Sequence, residues 1–165
     1  MYTQRLFAMF ILAVAIAALS ITLLAEYYFG KEPCTLCLYQ RVPFLTTGLF
    51  AIIILCQKKL SELIPIIFMF CALIYLAGSG LAIYHVGVER LWWSSDCSGS
   101  LNHNTTLEEL RASLMQKAEI PCDEVNWRIF GVSMATYNAF FSSALCIISI
   151  MISFKMSKKL MEKTI

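Results

Sequence analysis

The sequence predicts an all-α membrane protein built as a bundle of four transmembrane helices, and three observations lead to this fold class. Apolar residues make up 59% of the 165 residues, which is far above the share found in soluble domains. The mean hydropathy is +0.70. Long uncharged runs occur four times along the chain, and each can cross about 30 Å of hydrocarbon at about 1.5 Å per residue.

The predicted spans cover approximately residues 6–25, 38–56, 63–88 and 129–154. The second span is the shortest and needs its polar first turn near the lipid headgroups. The first run resembles a secretory signal in part, but its length exceeds the roughly 7 to 15 residues of a signal core. We therefore expect a retained span. No internal repeat or separate soluble segment is evident, so residues 1–165 are predicted to form a single integral membrane domain.

Positive charge indicates how these spans are oriented. Lys and Arg collect in the N-terminus, the second connection and the C-terminal tail, as Arg5, Lys58, Lys59, Lys155, Lys158, Lys159 and Lys163. Because cytoplasmic flanks carry the excess of Lys and Arg, both termini are predicted to be cytoplasmic. The external loops then cover about residues 26–37 and 89–128.

A short amphipathic helix is predicted within the second external loop. A capping box, Thr106-Leu107-Glu108-Glu109, precedes Leu110, Leu114 and Ala118 at helical spacing. We expect this helix to lie on the outer leaflet. A solvated helix packed on the bundle is the alternative.

The cysteines divide into two groups by their position in this topology. The external segments contain Cys34, Cys37, Cys97 and Cys122, on the side where disulfides persist. Cys56, Cys71 and Cys146 fall in or beside the spans, where cysteine usually acts as a small buried hydrophobe. Two structural disulfides would also explain the outer group. However, a bond between Cys34 and Cys37 closes a very small loop and would stabilise little.

The spacing of Cys34 and Cys37 instead suits redox cycling. Pro33 fits the start of a helix, and a thiolate forms readily in a CxxC pair at such a position. Arg41 lies four residues after Cys37 and therefore on the same helical face. We expect Arg41 to favour the thiolate and to contact a carbonyl oxygen of a lipid-soluble quinone. Snorkelling to lipid phosphates is the alternative role for this arginine.

His85 lies near the outer end of the third span, at the depth predicted for Arg41. Quinone reduction consumes protons, so a histidine there is a candidate proton donor. An interfacial histidine held by hydrogen bonds is the alternative. No metal site is predicted, because Cys37 is not followed by the histidine of a haem attachment and the second cysteine pair is too widely spaced for zinc. No nucleic-acid partner is expected.

An ordered set of motifs then resembles the DsbB family of bacterial inner-membrane disulfide-bond-forming quinone oxidoreductases. The motifs are Cys34-Thr-Leu-Cys37-Leu-Tyr-Gln-Arg41, Tyr84-His85-Val-Gly-Val-Glu89, Asp96-Cys97-Ser-Gly99, Pro121-Cys122-Asp-Glu-Val-Asn-Trp127, Gly131-Val-Ser133 and Tyr137-Asn138. The likeness runs from the first span through the fourth. It implies a protein that reoxidises a periplasmic DsbA-like thiol oxidase and passes the electrons to the membrane quinone pool, either ubiquinone or menaquinone.

The resemblance also implies a role for each external cysteine. Cys97 would be attacked by the reduced partner, with Cys122 as its disulfide mate. Cys122 would then exchange with Cys34, and Cys37 would be the thiolate that faces the quinone. Arg41 and His85 would lie beside the quinone ring.

Two alternatives from other classes remain open at this point. A vitamin K epoxide reductase-like enzyme also combines loop cysteines with a membrane CxxC and quinone, but its CxxC lies near the last span. A non-enzymatic four-span scaffold with a disulfide-stapled outer loop, similar in outline to tetraspanins, would not need Arg41 beside a CxxC.

Overall fold

The computed structural model describes residues 2–57, 63–98, 120–125 and 127–164, and these residues are mostly helical. The helices are α1 (Tyr2–Tyr27), α2 (Thr35–Tyr39), α3 (Val42–Cys56), α4 (Ile64–Glu89) and α5 (Met134–Thr164). A hairpin of β1 (Arg128–Ile129) and β2 (Val132–Ser133) precedes α5. The amphipathic helix predicted over residues 106–118 lies outside the described residues.

Four helical stretches are long and apolar enough to cross a membrane. They are Gln4–Tyr27, Thr35–Cys56, Ile64–Glu89 and Met134–Glu162. A helix satisfies its own backbone hydrogen bonds, which is the requirement for a segment surrounded by lipid. The prediction of a four-helix membrane bundle is therefore confirmed.

The second span is broken between α2 and α3. Gln40 and Arg41 form a turn there, in which the Arg41 N–H donates to the Leu38 carbonyl at 3.1 Å. Pro43 lies in the first turn of α3, where its missing N–H removes no helical hydrogen bond. The sequence predicts residues 38–56 as one span with a kink expected at Pro43, and the break lies just before that residue. The break matters because it leaves Gln40 buried, with 7% of its surface exposed.

The bundle buries three layers of side chains along its length. α4 packs most extensively against α5, while α3 contacts both α1 and α4. The inner layer includes Ala8, Ile54, Phe68 and Ile152; the middle layer includes Ala15, Phe44, Tyr75 and Leu145; the outer layer consists of Cys34, Leu36, Val88 and Cys122. The outer layer, named for the predicted topology, thus differs from the others in containing sulfur atoms from the segments before α2 and after α4.

Small residues allow the helices to approach closely in the middle of the bundle. A Cβ atom at Gly48 would lie 3.2 Å from the Ala15 Cβ, and one at Gly78 would lie 2.8 Å from the Pro43 Cγ. Close packing of this kind is a main source of helix association within lipid. Gly78 therefore fixes the distance between α4 and the start of α3.

The membrane cysteines differ in their burial. Cys71 and Cys146 are buried in the bundle, as expected for small hydrophobes. Cys56 is exposed at the last residue of α3. The expectation of burial is therefore wrong for Cys56, because the bundle does not cover this end of the helix.

The outer end of α4 turns the chain back over the bundle. Leu91 has a positive φ of 59°, and the Trp92 N–H donates to the Gly87 carbonyl at 2.9 Å. The Trp93 ring lies directly against Gly87, where a Cβ atom would collide with it, and its Nε1–H donates to the Tyr84 carbonyl at 3.0 Å. This arrangement holds the start of the second external loop close to α4.

The hairpin before α5 is closed by a two-residue turn. Phe130 and Gly131 have φ values of 50° and 81°, as a type I′ turn requires. The Ser133 hydroxyl accepts a hydrogen bond from the Thr136 N–H at 3.3 Å, which caps the new helix. The last helix therefore begins at Met134, whereas the fourth span predicted from the sequence begins at residue 129.

Gly78→Ala should destabilise the bundle. Its new methyl group would meet the Pro43 ring at 2.8 Å, whereas the same change at Gly80 meets nothing within 4 Å. We expect Gly78→Ala to lower the free energy of unfolding by about 1–3 kcal/mol. Gly80→Ala should leave it equal or raise it by up to about 1 kcal/mol. Unfolding in detergent micelles measures both, and equal stability of the two variants would contradict the packing described here.

Candidate functional site

The first cysteine pair lies at the outer end of the second span. Cys34 is the N-cap of α2; its sulfur accepts a hydrogen bond from the Cys37 backbone N–H at 3.3 Å and lies 2.7 Å from the Cys37 sulfur. Cys34 is 5% exposed, whereas Cys37 is half-buried. Because the two sulfurs are in contact, a disulfide between them needs only a small rotation of the side chains.

His85 of α4 lies against this pair. Its Nε2 atom is 3.6 Å from the Cys34 sulfur and 4.0 Å from the Glu89 Oε1. On the other side of the ring, Nδ1 is 2.8 Å from the Gln40 Nε2. His85 is 2% exposed. His85, for which the sequence predicts a proton donor to quinone or an interfacial histidine held by hydrogen bonds, is therefore buried in the site, and both ring nitrogens face protein groups.

These contacts favour the thiolate form of Cys34, which precedes the second span. The side-chain hydrogen bond with Cys37 lowers the pKa of the Cys34 thiol most strongly, and the hydrogen bond with His85 lowers it further. Burial acts in the opposite direction. The net effect is a pKa for Cys34 well below the usual range of a thiol.

The second cysteine pair forms a disulfide between Cys97 and Cys122, with Cα atoms 5.4 Å apart. The Cys122 N–H donates to the Cys97 carbonyl at 2.8 Å, and the Ser95 hydroxyl is 3.3 Å from the Cys97 sulfur. Cys122 is fully buried, whereas Cys97 is half-buried. Cys97 is thus the more accessible sulfur of this disulfide.

Both pairs belong to the outer layer of the bundle. Cys34 and Cys122 are buried members of one cluster, and Cys37 and Cys97 pack against it. Two segments that are far apart in sequence therefore bring all the external cysteines to one place. This proximity is the main geometric requirement for exchange of disulfides between the pairs.

Arg41 lies at the break between α2 and α3. Its Nη1 atom is 2.8 Å from the Glu26 Oε2 at the end of α1, and the two side chains are 16% and 25% exposed. The Arg41 Nε is buried and has no hydrogen-bond partner among the described residues. We expected Arg41 to favour the thiolate, but the groups that act on Cys34 are Cys37 and His85.

Two residues of the site were not singled out from the sequence. Gln40 contacts His85, and the Asn138 Nδ2 of α5 donates to the Gln40 Oε1 at 2.6 Å. Both are amide side chains within apolar spans, and a polar residue at such a position usually has a function. That signal was available, but the contact between them depends on how three helices pack.

A set of potential metal ligands also occurs among the described residues. The sulfurs of Cys34 and Cys37 and a ring nitrogen of His85 all lie within 4.8 Å of one another. Thiolate and imidazole are ligands that zinc prefers. No metal site was predicted from the sequence.

The fold and the site together define a class of protein. A four-span membrane bundle that holds a loop disulfide beside a reduced cysteine pair is a membrane thiol-disulfide oxidoreductase. Residues 4–152 match the family described as "Disulfide bond formation protein DsbB". The chain belongs to this family, and it is a multi-pass membrane oxidoreductase that acts in disulfide bond formation.

Individual relatives agree with this assignment. The chain is 26% identical over 152 residues to "Disulfide bond formation protein B" of Acinetobacter baylyi. The alignment covers 88% of this chain and 89% of the relative. The protein of the same name from Xylella fastidiosa strain 9a5c is 26% identical, with coverage of 86% and 84%. The one from Marinobacter nauticus is 27% identical, with coverage of 91% and 92%. The similarity therefore extends over nearly the whole length of each relative.

The reduced first pair should contain one thiolate at unusually low pH. In a background with Cys97→Ser and Cys122→Ser, an ordinary thiol loses its thiolate as the pH falls below about 8.5. Because its pKa is lowered, Cys34 should remain ionised below that point. Ultraviolet absorbance of the thiolate against pH measures this.

Variants show which cysteine carries the thiolate that persists at low pH. Cys34→Ser should remove it, and His85→Phe should raise its midpoint by about one pH unit, since one hydrogen bond to a charged group is lost. Cys71→Ser is the control, because Cys71 is a buried thiol that lies in α4 outside the outer layer. If both thiols of the wild-type pair ionise in the ordinary range, the electrostatic description of the site is wrong.

Proposed function

We propose that this protein reoxidises a DsbA-like thiol oxidase of the periplasm and transfers the electrons to membrane quinone, either ubiquinone or menaquinone. The proposal places it in a bacterial inner membrane with both termini in the cytoplasm. One observation carries it: Cys34, Cys37, Cys97 and Cys122 contribute to one cluster at the outer end of the bundle. Membership of the DsbB family supports the same reaction.

Disulfide exchange would begin at Cys97. A thiolate of the reduced partner attacks the Cys97 sulfur, the Cys97–Cys122 bond breaks, and Cys122 leaves as a thiolate. The greater exposure of Cys97 supports this choice of sulfur, because Cys122 is fully buried. The partner's second thiolate later releases its mixed disulfide with Cys97, so that the partner departs oxidised.

The second exchange would connect the two pairs. The Cys122 thiolate attacks Cys34 of an oxidised Cys34–Cys37 pair, and Cys37 leaves as a thiolate. Return attack by Cys97 on Cys122 restores the loop disulfide and releases Cys34. The outcome is an oxidised partner and a reduced Cys34–Cys37 pair that holds the two electrons. Burial of Cys34 and Cys122 in one cluster supports this step.

A quinone supplies a two-electron oxidant that dissolves in the bilayer, and the residues present fit such a group. Arg41 offers a buried Nε–H with no partner among the described residues, which suits a carbonyl oxygen. Cys37, the more exposed thiol of the pair, is half-buried at the same end of the span. Arg41 and His85 would hold the quinone, with Arg41 as the donor, because both nitrogens of His85 already face protein groups.

Cysteine variants separate the two halves of this reaction. Cys34→Ser and Cys37→Ser should each abolish quinone reduction, since neither leaves a dithiol to be oxidised. Cys97→Ser should retain quinone reduction by a small dithiol but lose it with the reduced protein partner. Quinone absorbance during turnover of the purified protein measures both activities. Full activity of Cys97→Ser with the protein partner would contradict the role of Cys97. A flat quinone absorbance trace for the wild-type protein, with an active partner and verified quinone present, would favour a non-enzymatic scaffold.

Arg41→Ala should weaken quinone-dependent turnover. Loss of one hydrogen bond from a charged donor is worth about 1.5 kcal/mol, so the quinone KM should rise by about tenfold. Arg90→Ala is a matched control, since Arg90 is a basic residue at the outer end of α4 that stacks on Trp92.

A second variant separates quinone binding from the ion pair of Arg41. Glu26→Gln removes the charge partner but keeps the Arg41 Nε–H. We expect its quinone KM to stay near the wild-type value. If Glu26→Gln reproduces the loss, or if Arg41→Ala has wild-type quinone kinetics, Arg41 does not belong to the quinone site.

A further inference from the structure

A chain of hydrogen bonds leads from α5 to the first cysteine pair. The Ser142 hydroxyl donates to the Asn138 Oδ1 at 3.0 Å, and the Asn138 Nδ2 donates to the Gln40 Oε1 at 2.6 Å. Gln40 Nε2 is then 2.8 Å from the His85 Nδ1. The chain joins three separate spans and ends beside Cys34. Its members are buried or half-buried inside the bundle.

The direction of this chain determines which nitrogen of His85 carries the proton. Because the Gln40 oxygen accepts from Asn138, its nitrogen faces the imidazole, and an amide nitrogen can only donate. His85 Nδ1 must therefore be the acceptor. The remaining proton of a neutral imidazole is on Nε2, the nitrogen that lies 3.6 Å from the Cys34 sulfur.

The surroundings of Cys34 require the same direction of the hydrogen-bond chain. Its sulfur already accepts a hydrogen bond from the Cys37 backbone N–H. In the other tautomer, Nε2 would present a lone pair to this acceptor, and Gln40 and Asn138 would both have to turn over. A doubly protonated ring would also set two donors, Nδ1–H and the Gln40 amide, against each other.

We propose that Gln40 and Asn138 are positioning residues that hold His85 in the Nε2–H tautomer, so that the imidazole donates to Cys34. In this chain Gln40 bonds to His85 and Asn138, and Asn138 bonds to Gln40 and Ser142, so neither amide bonds to a reacting sulfur. They act through His85, whose other titratable neighbours in the described site are Cys34, Cys37 and Glu89. The role of His85 is then to stabilise a sulfur anion, which differs from the proton donor expected from the sequence.

The consequence for the reaction concerns Cys34 as a leaving group, and this part rests on the proposed function. When Cys97 displaces Cys34 from Cys122, the electron pair of the broken bond goes to the Cys34 sulfur. A hydrogen bond from Nε2–H stabilises that anion, and a better-stabilised thiolate leaves faster. No proton is transferred in the step, so the histidine need not change its protonation state.

Nitrogen NMR of the histidine ring tests the tautomer directly. The sequence contains two histidines, so His103→Gln leaves His85 as the single one in the full-length protein. With the Cys34–Cys37 pair reduced, we expect Nε2 to carry the proton and Nδ1 to be unprotonated. A protonated Nδ1 would overturn the proposal, and this result needs no variant within the site.

Two variants then test the positioning residues. Gln40→Glu has the same shape but offers only acceptors to Nδ1, so Nδ1 should become protonated. Asn138→Leu frees Gln40 to turn over, so both tautomers should appear and the Cys34 thiolate midpoint should rise by up to about one pH unit. Ser153→Ala is the control on α5, where it removes a buried hydroxyl that donates to the Pro65 carbonyl, and it should change neither reading.

The outcomes separate this inference from the proposed function. An unchanged tautomer in Gln40→Glu would show that Gln40 does not set the proton position. Failure of wild-type protein to reduce quinone, with the tautomer as described, would reject the quinone reaction and leave the positioning role intact. The same Nδ1 protonation in Ser153→Ala as in Asn138→Leu would overturn the role of Asn138.

Discussion

The site depends on the burial of sulfur atoms from two external segments in one apolar layer. Cys34 and Cys122 lie there with Leu36 and Val88, and little water reaches them. In such surroundings a hydrogen bond to sulfur is stronger than in water, and an unpaired charge is costly. The few donors near Cys34 therefore decide where negative charge can reside. If these cysteines were exposed to water, the contacts of Cys37 and His85 with Cys34 would lower its pKa by less.

Polar groups serve different purposes at different depths of the bundle. Towards the inner end, the Ser153 hydroxyl donates to the Pro65 carbonyl and joins α5 to the start of α4. In the middle, Thr47 donates to the Tyr75 hydroxyl. Each of these bonds joins two neighbouring helices. The chain from Ser142 to His85 joins three spans and is directional, and a set of this kind can impose a proton position as well as a distance.

Much of this architecture follows from the sequence because it depends on local properties. Four uncharged runs predict four spans, and the external position of Cys34, Cys37, Cys97 and Cys122 predicts thiol chemistry on one side. The hairpin before Met134 and the placement of the break at Gln40, just before Pro43, were not predicted, since both lie within or beside hydrophobic runs. Likewise, the ion pair between Arg41 and Glu26 and the contact of Asn138 with Gln40 depend on the relative rotation of helices. No spacing along one helix encodes that rotation.

The contact of the Trp93 ring with Gly87 limits how far the Cys97–Cys122 disulfide can move from α4. Trp93 is fixed to α4 by its ring contact and by its hydrogen bond to Tyr84, and Cys97 follows four residues later. A fully extended tether of that length spans at most about 14 Å. In the proposed reaction, the partner's thiolate would therefore have to meet the Cys97 sulfur within that distance of the outer end of α4.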